Sequence, residues 1–221
     1  TALGGTGMCI STDVIRRFGW GCNCLTEDME FSMKVLYEGN VRTTWAHDAI
    51  VYDEKPLTFM QSWHQRKRWA QGHFDCAGRY IPRLFVRGLR RANIRQLDGI
   101  MQLSQPYFML LSTLFLIASY INLYTPFFTT FLYNGVLMPV EFWTALGIIQ
   151  YLLPVIVLWK IKVPWGVWVY LPLYPLFLYS WVPITFLGFI DRHKKEWSHT
   201  KHTRSISLED VALHLGEKKQ E

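Results

Sequence analysis

Three side chains within five residues, Gln65, Arg68 and Trp69, bring together an amide, a guanidinium and an indole. The segment around them, Thr58 to Tyr80, contains no proline and reads as a helix, with Thr58 after Pro56-Leu57 as its N-cap. Spacing of i, i+3 and i+4 puts the three on one helical face, while Arg66 and Lys67 point elsewhere. The indole offers a stacking plane, and the fixed fork of arginine matches phosphate oxygens two at a time. A site for a sugar and a pyrophosphate needs both. The same run, Gln65 to Trp69, also fits a basic amphipathic helix lying on a membrane surface.

Asp28 stands 37 residues before Gln65, in the stretch Leu25-Thr26-Glu27-Asp28. Thr26 is a natural N-cap, and acids in a first helical turn suit the positive end of the dipole. Met29, Met33, Leu36 and Tyr37 form the stripe expected to be buried, and Gly39-Asn40 ends the helix. Any helix start can look like this. Read as chemistry, the dipole keeps one carboxylate ionised and ready to take a proton from a hydroxyl.

Upstream, Leu3-Gly4-Gly5-Thr6-Gly7 is a flexible turn before a short strand, Met8-Cys9-Ile10. Backbone without side chains admits a ligand closely, but the lysine and Ser/Thr of a phosphate loop are lacking. Ser11 or Thr12 caps a short helix through Arg17-Phe18, closed by Gly19. Val41 to Tyr52 favours strand, interrupted near His47-Asp48, and Asp53-Glu54-Lys55-Pro56 is a loop. His47 is a catalytic candidate, but a single histidine in a turn is more often structural; neither His64 nor His73 is expected as a ligand, because no second histidine sits at metal spacing on the same face. Cys9, Cys22, Cys24 and Cys76 also lack metal spacing, so reduced thiols on the cytosolic side are expected.

The 221 residues are 50% apolar and 16% aromatic with a net charge of +6, but the charge is unevenly placed. From Leu103 to Ile190 the charged residues are Lys160, Lys162 and Glu141, in a background of Leu, Phe, Ile, Trp and Tyr. That composition is membrane rather than core. Just before it, Arg79, Arg83, Arg87, Arg90, Arg91 and Arg95 surround Phe85 and Leu89. The apolar span that follows makes anionic lipid, not nucleic acid, the partner of this cluster.

Ile94 to Ser104 reads as an interfacial helix, and Pro106 to Tyr124 as a crossing. Residues 125–141 lack lysine and arginine and are expected outside, with Phe142 to Trp159 returning to Lys160 and Lys162 inside. Val163 to Ile190 is broken by Pro164, Pro172, Pro175 and Pro183. One crossing there would put Arg192, His193, Lys194 and Lys195 outside, against the charge rule. A re-entrant or interfacial Trp165 to Tyr174 would keep the tail inside, and that is the expectation. Trp197, Thr200, Lys201 and His202 are then expected to dock back on the cytosolic part.

Taken together, the acid pair, the Q-x-x-R-W helix, the arginine-rich run and the membrane helices resemble the membrane-embedded family-2 glycosyltransferases. That group holds the cellulose, chitin, hyaluronan and poly-N-acetylglucosamine synthases. The pieces carrying the resemblance are Gly4 to Gly7, Thr26-Glu27-Asp28, Glu54 before Pro56, and Gln65, Arg68 and Trp69; Trp197 to His202 is similar to the poly-N-acetylglucosamine branch.

The resemblance implies an α/β fold: the C-terminal part of a GT-A-type domain over residues 1–80. A basic interfacial segment (81–104), a helical transmembrane region of two to three spans (105–190) and a polar tail (191–221) follow. It implies Asp28 as general base, Glu27 as a positioning group, and Gly5, Thr6, Gly7, Gln65, Arg68 and Trp69 as donor- and acceptor-binding residues. Mg²⁺ or Mn²⁺ is the implied cofactor, with no metal ligand in these residues. Its Asp-x-Asp ligands and the uridine-binding aspartate are expected in an N-terminal half that this chain does not include.

Implied partners are a UDP-sugar, an oligosaccharide acceptor and anionic membrane lipids, with room for an accessory membrane subunit and none for nucleic acid. The expected setting is the plasma membrane, multi-pass, with the catalytic part cytosolic. The expected reaction is inverting transfer to a growing β-linked polysaccharide with its export, which this piece alone would not perform. The alternatives are non-processive glycosylation of a lipid carrier, and a non-catalytic membrane scaffold or transport subunit.

Overall fold

A computed structural model describes residues 3–51, 53–125, 138–161 and 163–194 of the chain. Its helices are α1 (Thr12–Phe18), α2 (Glu27–Gly39), α3 (Phe59–Arg90), α4 (Ile94–Tyr124) and α5 (Val140–Lys160). A broken helical run follows: α6 (Trp165–Tyr170), a 3-10 turn (Leu171–Leu173), α7 (Tyr174–Tyr179) and α8 (Trp181–Ile190).

The start of α3 follows from its sequence. Thr58 accepts a hydrogen bond from the Gln61 amide at 3.2 Å, and Gln61 Oε1 accepts from the Thr58 amide at 3.3 Å, a reciprocal capping box. The helix does not stop near Tyr80 but runs through Pro82 to Arg90. A proline removes one intrahelical bond, yet Tyr80 and Leu84 are buried on either side of it, and tertiary packing overrides the break. The same holds in α4, where Pro106 lies inside one continuous helix instead of separating an interfacial piece from a span.

Helices α3 and α4 form an antiparallel hairpin, with Gly88 against Leu97, Leu84 against Gly99, and the Phe74 ring 4.9 Å from Tyr107. α2 lies across this hairpin. Met33 joins Cys24, Cys76, Ala77, Leu84 and Leu103 in the core, with Met29, Leu36 and Tyr37 packed beside them, so the expected stripe faces inward. Glu30, Phe31, Ser32 and Val35 are buried as well. The chain folds over that second flank of α2: Trp20 stacks on Phe31 at 4.8 Å, and the Leu3 amide donates to Ser32 Oγ at 2.8 Å.

Two expectations need correction. The strands expected at Met8 to Ile10 and Val41 to Tyr52 do not pair, and the described residues are helical with no strand among them. A strand exists by its ladder bonds to a neighbour, and no described segment offers an edge. Trp45 and Ile50 accordingly stay 81% and 75% exposed. The second correction concerns Arg79, which belongs to the fold rather than to the lipid-facing cluster. It pairs with Asp75 and donates to Glu30 Oε1 at 2.9 Å.

Three described helical stretches are long and apolar enough to cross a membrane: Ile94–Tyr124, Val140–Lys160 and Trp165–Ile190. Their outward faces carry exposed Leu, Ile, Phe and Val, the composition of membrane-spanning helices. This is a membrane protein. The third stretch ends against α3: Gly188 sits on Ala70, the Phe189 ring lies 5.2 Å from Phe74, and Lys67 pairs with Asp191 at 2.5 Å. Residues 126–137 and 195–221, including the cluster of Trp197, Thr200, Lys201 and His202, lie outside the described residues.

Candidate active site

The start of α2 is seated on α3 at Gly72. A methyl group there would lie 2.6 Å from Thr26 Oγ1 and 2.7 Å from the Thr26 amide nitrogen, so only glycine lets the two backbones approach this closely. Thr26 is the residue before α2, and Gly72 follows Trp69 by three positions on α3. The seat therefore holds the acidic turn against the face that carries Gln65, Arg68 and Trp69.

Between them opens a cavity of about 630 Å³. Gly5, Thr6, Glu27 and Asp28 line it from the amino-terminal side, and Gln65, Arg68, Trp69 and His73 from α3. The sequence-expected acid and the amide-guanidinium-indole face thus share one space. Trp69 is 43% exposed, leaving an indole surface open to a ligand. Glu27 is exposed at the cavity rim.

Asp28 is half-buried, and its surroundings decide its chemistry. Oδ1 accepts from the Met29 amide at 2.8 Å, and the Gly5 amide also points to the carboxylate. The Asp28 carbonyl accepts from Ser32 Oγ at 2.7 Å. Burial pushes the Asp28 carboxyl above the usual carboxylate range, with Glu27 adding to the rise and the Met29 and Gly5 amides opposing it. A raised carboxyl is the stronger base once ionised.

The glycine turn divides in role. Gly5 reaches Asp28, with its α-hydrogen side only 3.5 Å from Oδ2 as measured to an added methyl. The Thr6 hydroxyl donates to Asp53 at 3.4 Å on the cavity rim. Gly7 is not in the cavity wall; its φ of +71° and its contact with Val51 make it a backbone turn.

The opposite face of α3 explains where Arg66 and Lys67 go. Arg66 is 2% exposed, donates to Ser180 Oγ at 2.8 Å, and stacks on Phe177 at 4.3 Å and Trp181 at 5.2 Å. Gln71 donates to the Asp191 carbonyl at 3.1 Å. One helix thus presents its 65-68-69 face to the cavity and its 66-67-70-71 face to the end of the third apolar stretch.

Sequence reasoning missed three contributors. Glu30 is 4% exposed and its Oε2 accepts from the Asn23 and Cys24 amides at 2.5 and 2.6 Å, closing the loop before α2. A glutamate four residues after the N-cap gives no sign of that. Gly72 carries a readable hint, a glycine inside a helix without a turn signal. His73, not expected as a ligand from metal spacing, lines the cavity one turn beyond Trp69. Among the described residues no three His, Cys, Asp or Glu side chains gather as a metal site.

The whole of residues 1–190 matches the family model described as glycosyl transferase family group 2. The chain belongs to this glycosyltransferase family. A probable glycosyltransferase, YdaM of Bacillus subtilis (strain 168), is 29% identical over 82 residues, covering 37% of this chain and 19% of the relative. The chain spans about a fifth of that relative's length. No solved structure matches it.

Proposed function

We propose that the intact protein transfers a sugar, with inversion, from a UDP-sugar to the end of a growing β-linked polysaccharide at the membrane. One observation carries the reading: Asp28, its carboxyl raised by burial, faces Gln65, Arg68 and Trp69 across a single cavity. The acceptor ring stacks on the open face of Trp69 with a hydroxyl directed at Asp28. As that oxygen attacks the anomeric carbon, its proton passes to the Asp28 carboxylate. The bond from the anomeric carbon to the diphosphate breaks, and its electron pair leaves on UDP. One displacement converts the α-linked donor into a β-linked product. Arg68 meets the charge growing on the phosphoryl oxygens, and Gln65 hydrogen-bonds within the same pocket. Glu27 positions at the rim.

The divalent cation implied by the family resemblance finds no three-ligand set among the described residues, and no step above passes through it. Membrane placement follows the same reading. Asp191 is paired with Lys67 of α3, which supports a tail on the catalytic, cytosolic side. The apolar stretches then include an even number of crossings, with part of residues 165–190 lying along the membrane instead of through it. The apolar helices and their many aromatic residues give the polymer a way out, and the basic flank of α3 meets anionic lipid.

The test is UDP release and product length for the full-length protein in membranes supplied with UDP-glucose or UDP-N-acetylglucosamine. Asp28→Asn is expected to lower turnover by roughly 10²–10⁴-fold at unchanged abundance, and the wild type is expected to give a ladder of oligosaccharides. Survival of turnover in Asp28→Asn overturns the base assignment. A single added sugar overturns polymerisation while leaving transfer intact.

A further inference from the structure

The α3 face that forms the cavity wall does not end at Trp69. Four residues on, about 6 Å along the helix axis and close to the length of one pyranose ring, His73 lines the same cavity. The ring sits beside the backbone carbonyls of Gln102 and Leu103 on α4. Pro106 explains why one of these is available, since a proline without an N–H leaves the carbonyl four residues earlier, Gln102, without its helical partner. Nε2 of His73 is buried and has no hydrogen-bond partner among the described residues. Thr26 Oγ1, in the facing wall, is in the same condition, and although Thr26 precedes α2 its side chain makes no capping bond. Buried polar atoms are almost always satisfied. Both belong to residues that line the one cavity, on its two sides.

We infer that His73 is a specificity-determining residue, whose Nε2 accepts a hydrogen bond from a hydroxyl of the acceptor's second sugar while Trp69 holds the first. Burial keeps the imidazole neutral by lowering its pKa, and the α4 carbonyls, which pull the other way, hold the ring in place. This rests on the transferase reading above and deepens it: the site is built for an acceptor of at least two sugars, running from Trp69 towards α4.

The experiment uses the full-length enzyme with cellobiose and N,N′-diacetylchitobiose as acceptors, alongside the matching monosaccharides. Acceptor KM and UDP release to water are measured for wild type, His73→Phe and His73→Gln. His73→Phe is expected to raise the disaccharide KM about five- to tenfold more than it raises the monosaccharide KM. His73→Gln, which keeps an acceptor atom, is expected to recover most of that loss. A proportional fall in all rates, or an unchanged disaccharide KM, overturns the inference. Should the Phe variant not accumulate, wild type is assayed with disaccharides each lacking one hydroxyl of the second ring. One of these must lose five- to tenfold, and none doing so overturns the inference equally. Turnover that persists in Asp28→Asn marks failure of the underlying reading. Asp28-dependent turnover with a His73-insensitive disaccharide KM marks failure of this step alone.

Discussion

Replacing Gly72 by alanine separates folding from catalysis. The added methyl meets Thr26 Oγ1 at 2.6 Å where ordinary contact begins at 3.4 Å, so the start of α2 must retreat by about 0.8 Å. The Thr26 amide nitrogen stands only 2.7 Å away, and backbone cannot rotate aside as a side chain would. Overpacking costs about 1–3 kcal/mol, while alanine in place of a helical glycine returns about 1 kcal/mol. Net destabilisation is therefore about 0–2 kcal/mol. Catalysis has no such compensation. A misplacement near 1 Å can cost on the order of 10²-fold, and here it falls on the turn that carries Asp28. We expect a ten- to hundredfold loss of turnover by UDP release, with thermal unfolding shifted by only a few degrees. Gly78→Ala is the control, because a methyl there meets nothing within 4 Å on the same helix. Wild-type turnover in Gly72→Ala would refute the claim that the α2–α3 seat sets the site.

Asp28→Asn should unfold at a higher temperature than wild type at pH 7. A carboxyl raised by burial contributes stability below its unfolded pKa of about 3.9 and loses it as pH rises through the folded value, so the gap between the two proteins closes on acidification. For the same reason the acid limb of wild-type turnover should lie above the ordinary carboxylate range, read from a pH–rate profile. Glu30→Ala should cost about 3 kcal/mol in denaturant unfolding, since it removes one of the two carboxylates that hold Arg79 and the acceptor of two loop amides; a loss below about 0.5 kcal/mol would contradict that network. A thiol reagent at neutral pH should modify exposed Cys9 first. Cys22, half-buried and pushed up to about 11 mainly by burial, should react more slowly, and Cys24, buried and raised by its contact with Cys76 and by burial, only on unfolding.

Much of this was legible from local signals, and the rest failed for identifiable reasons. The Thr58 cap, the Ser11–Gly19 bounds of α1 and the end of α2 at Asn40 rest on short-range rules, and these helix ends fall accordingly. Helical spacing was also enough to bring Gln65, Arg68 and Trp69 to one wall. Pro82 and Pro106 misled, because each looks like a boundary locally and is held inside a helix by the α3–α4 contact. The segment 41–51 misled for the opposite reason: its strand character needs a partner edge that no described residue provides. Arg79 and Glu30 are joined across 49 positions, and no periodicity announces such a pair. His73 was dismissed on metal spacing alone, a criterion blind to a ligand that is a sugar.

The most direct measurement is a cryo-EM structure of the intact protein with UDP and an oligosaccharide acceptor. The account predicts the terminal acceptor ring on Trp69, with one hydroxyl about 3 Å from the Asp28 carboxylate and the diphosphate beside Arg68. An acceptor bound elsewhere, with Asp28 turned to a different cavity from Arg68, would contradict it.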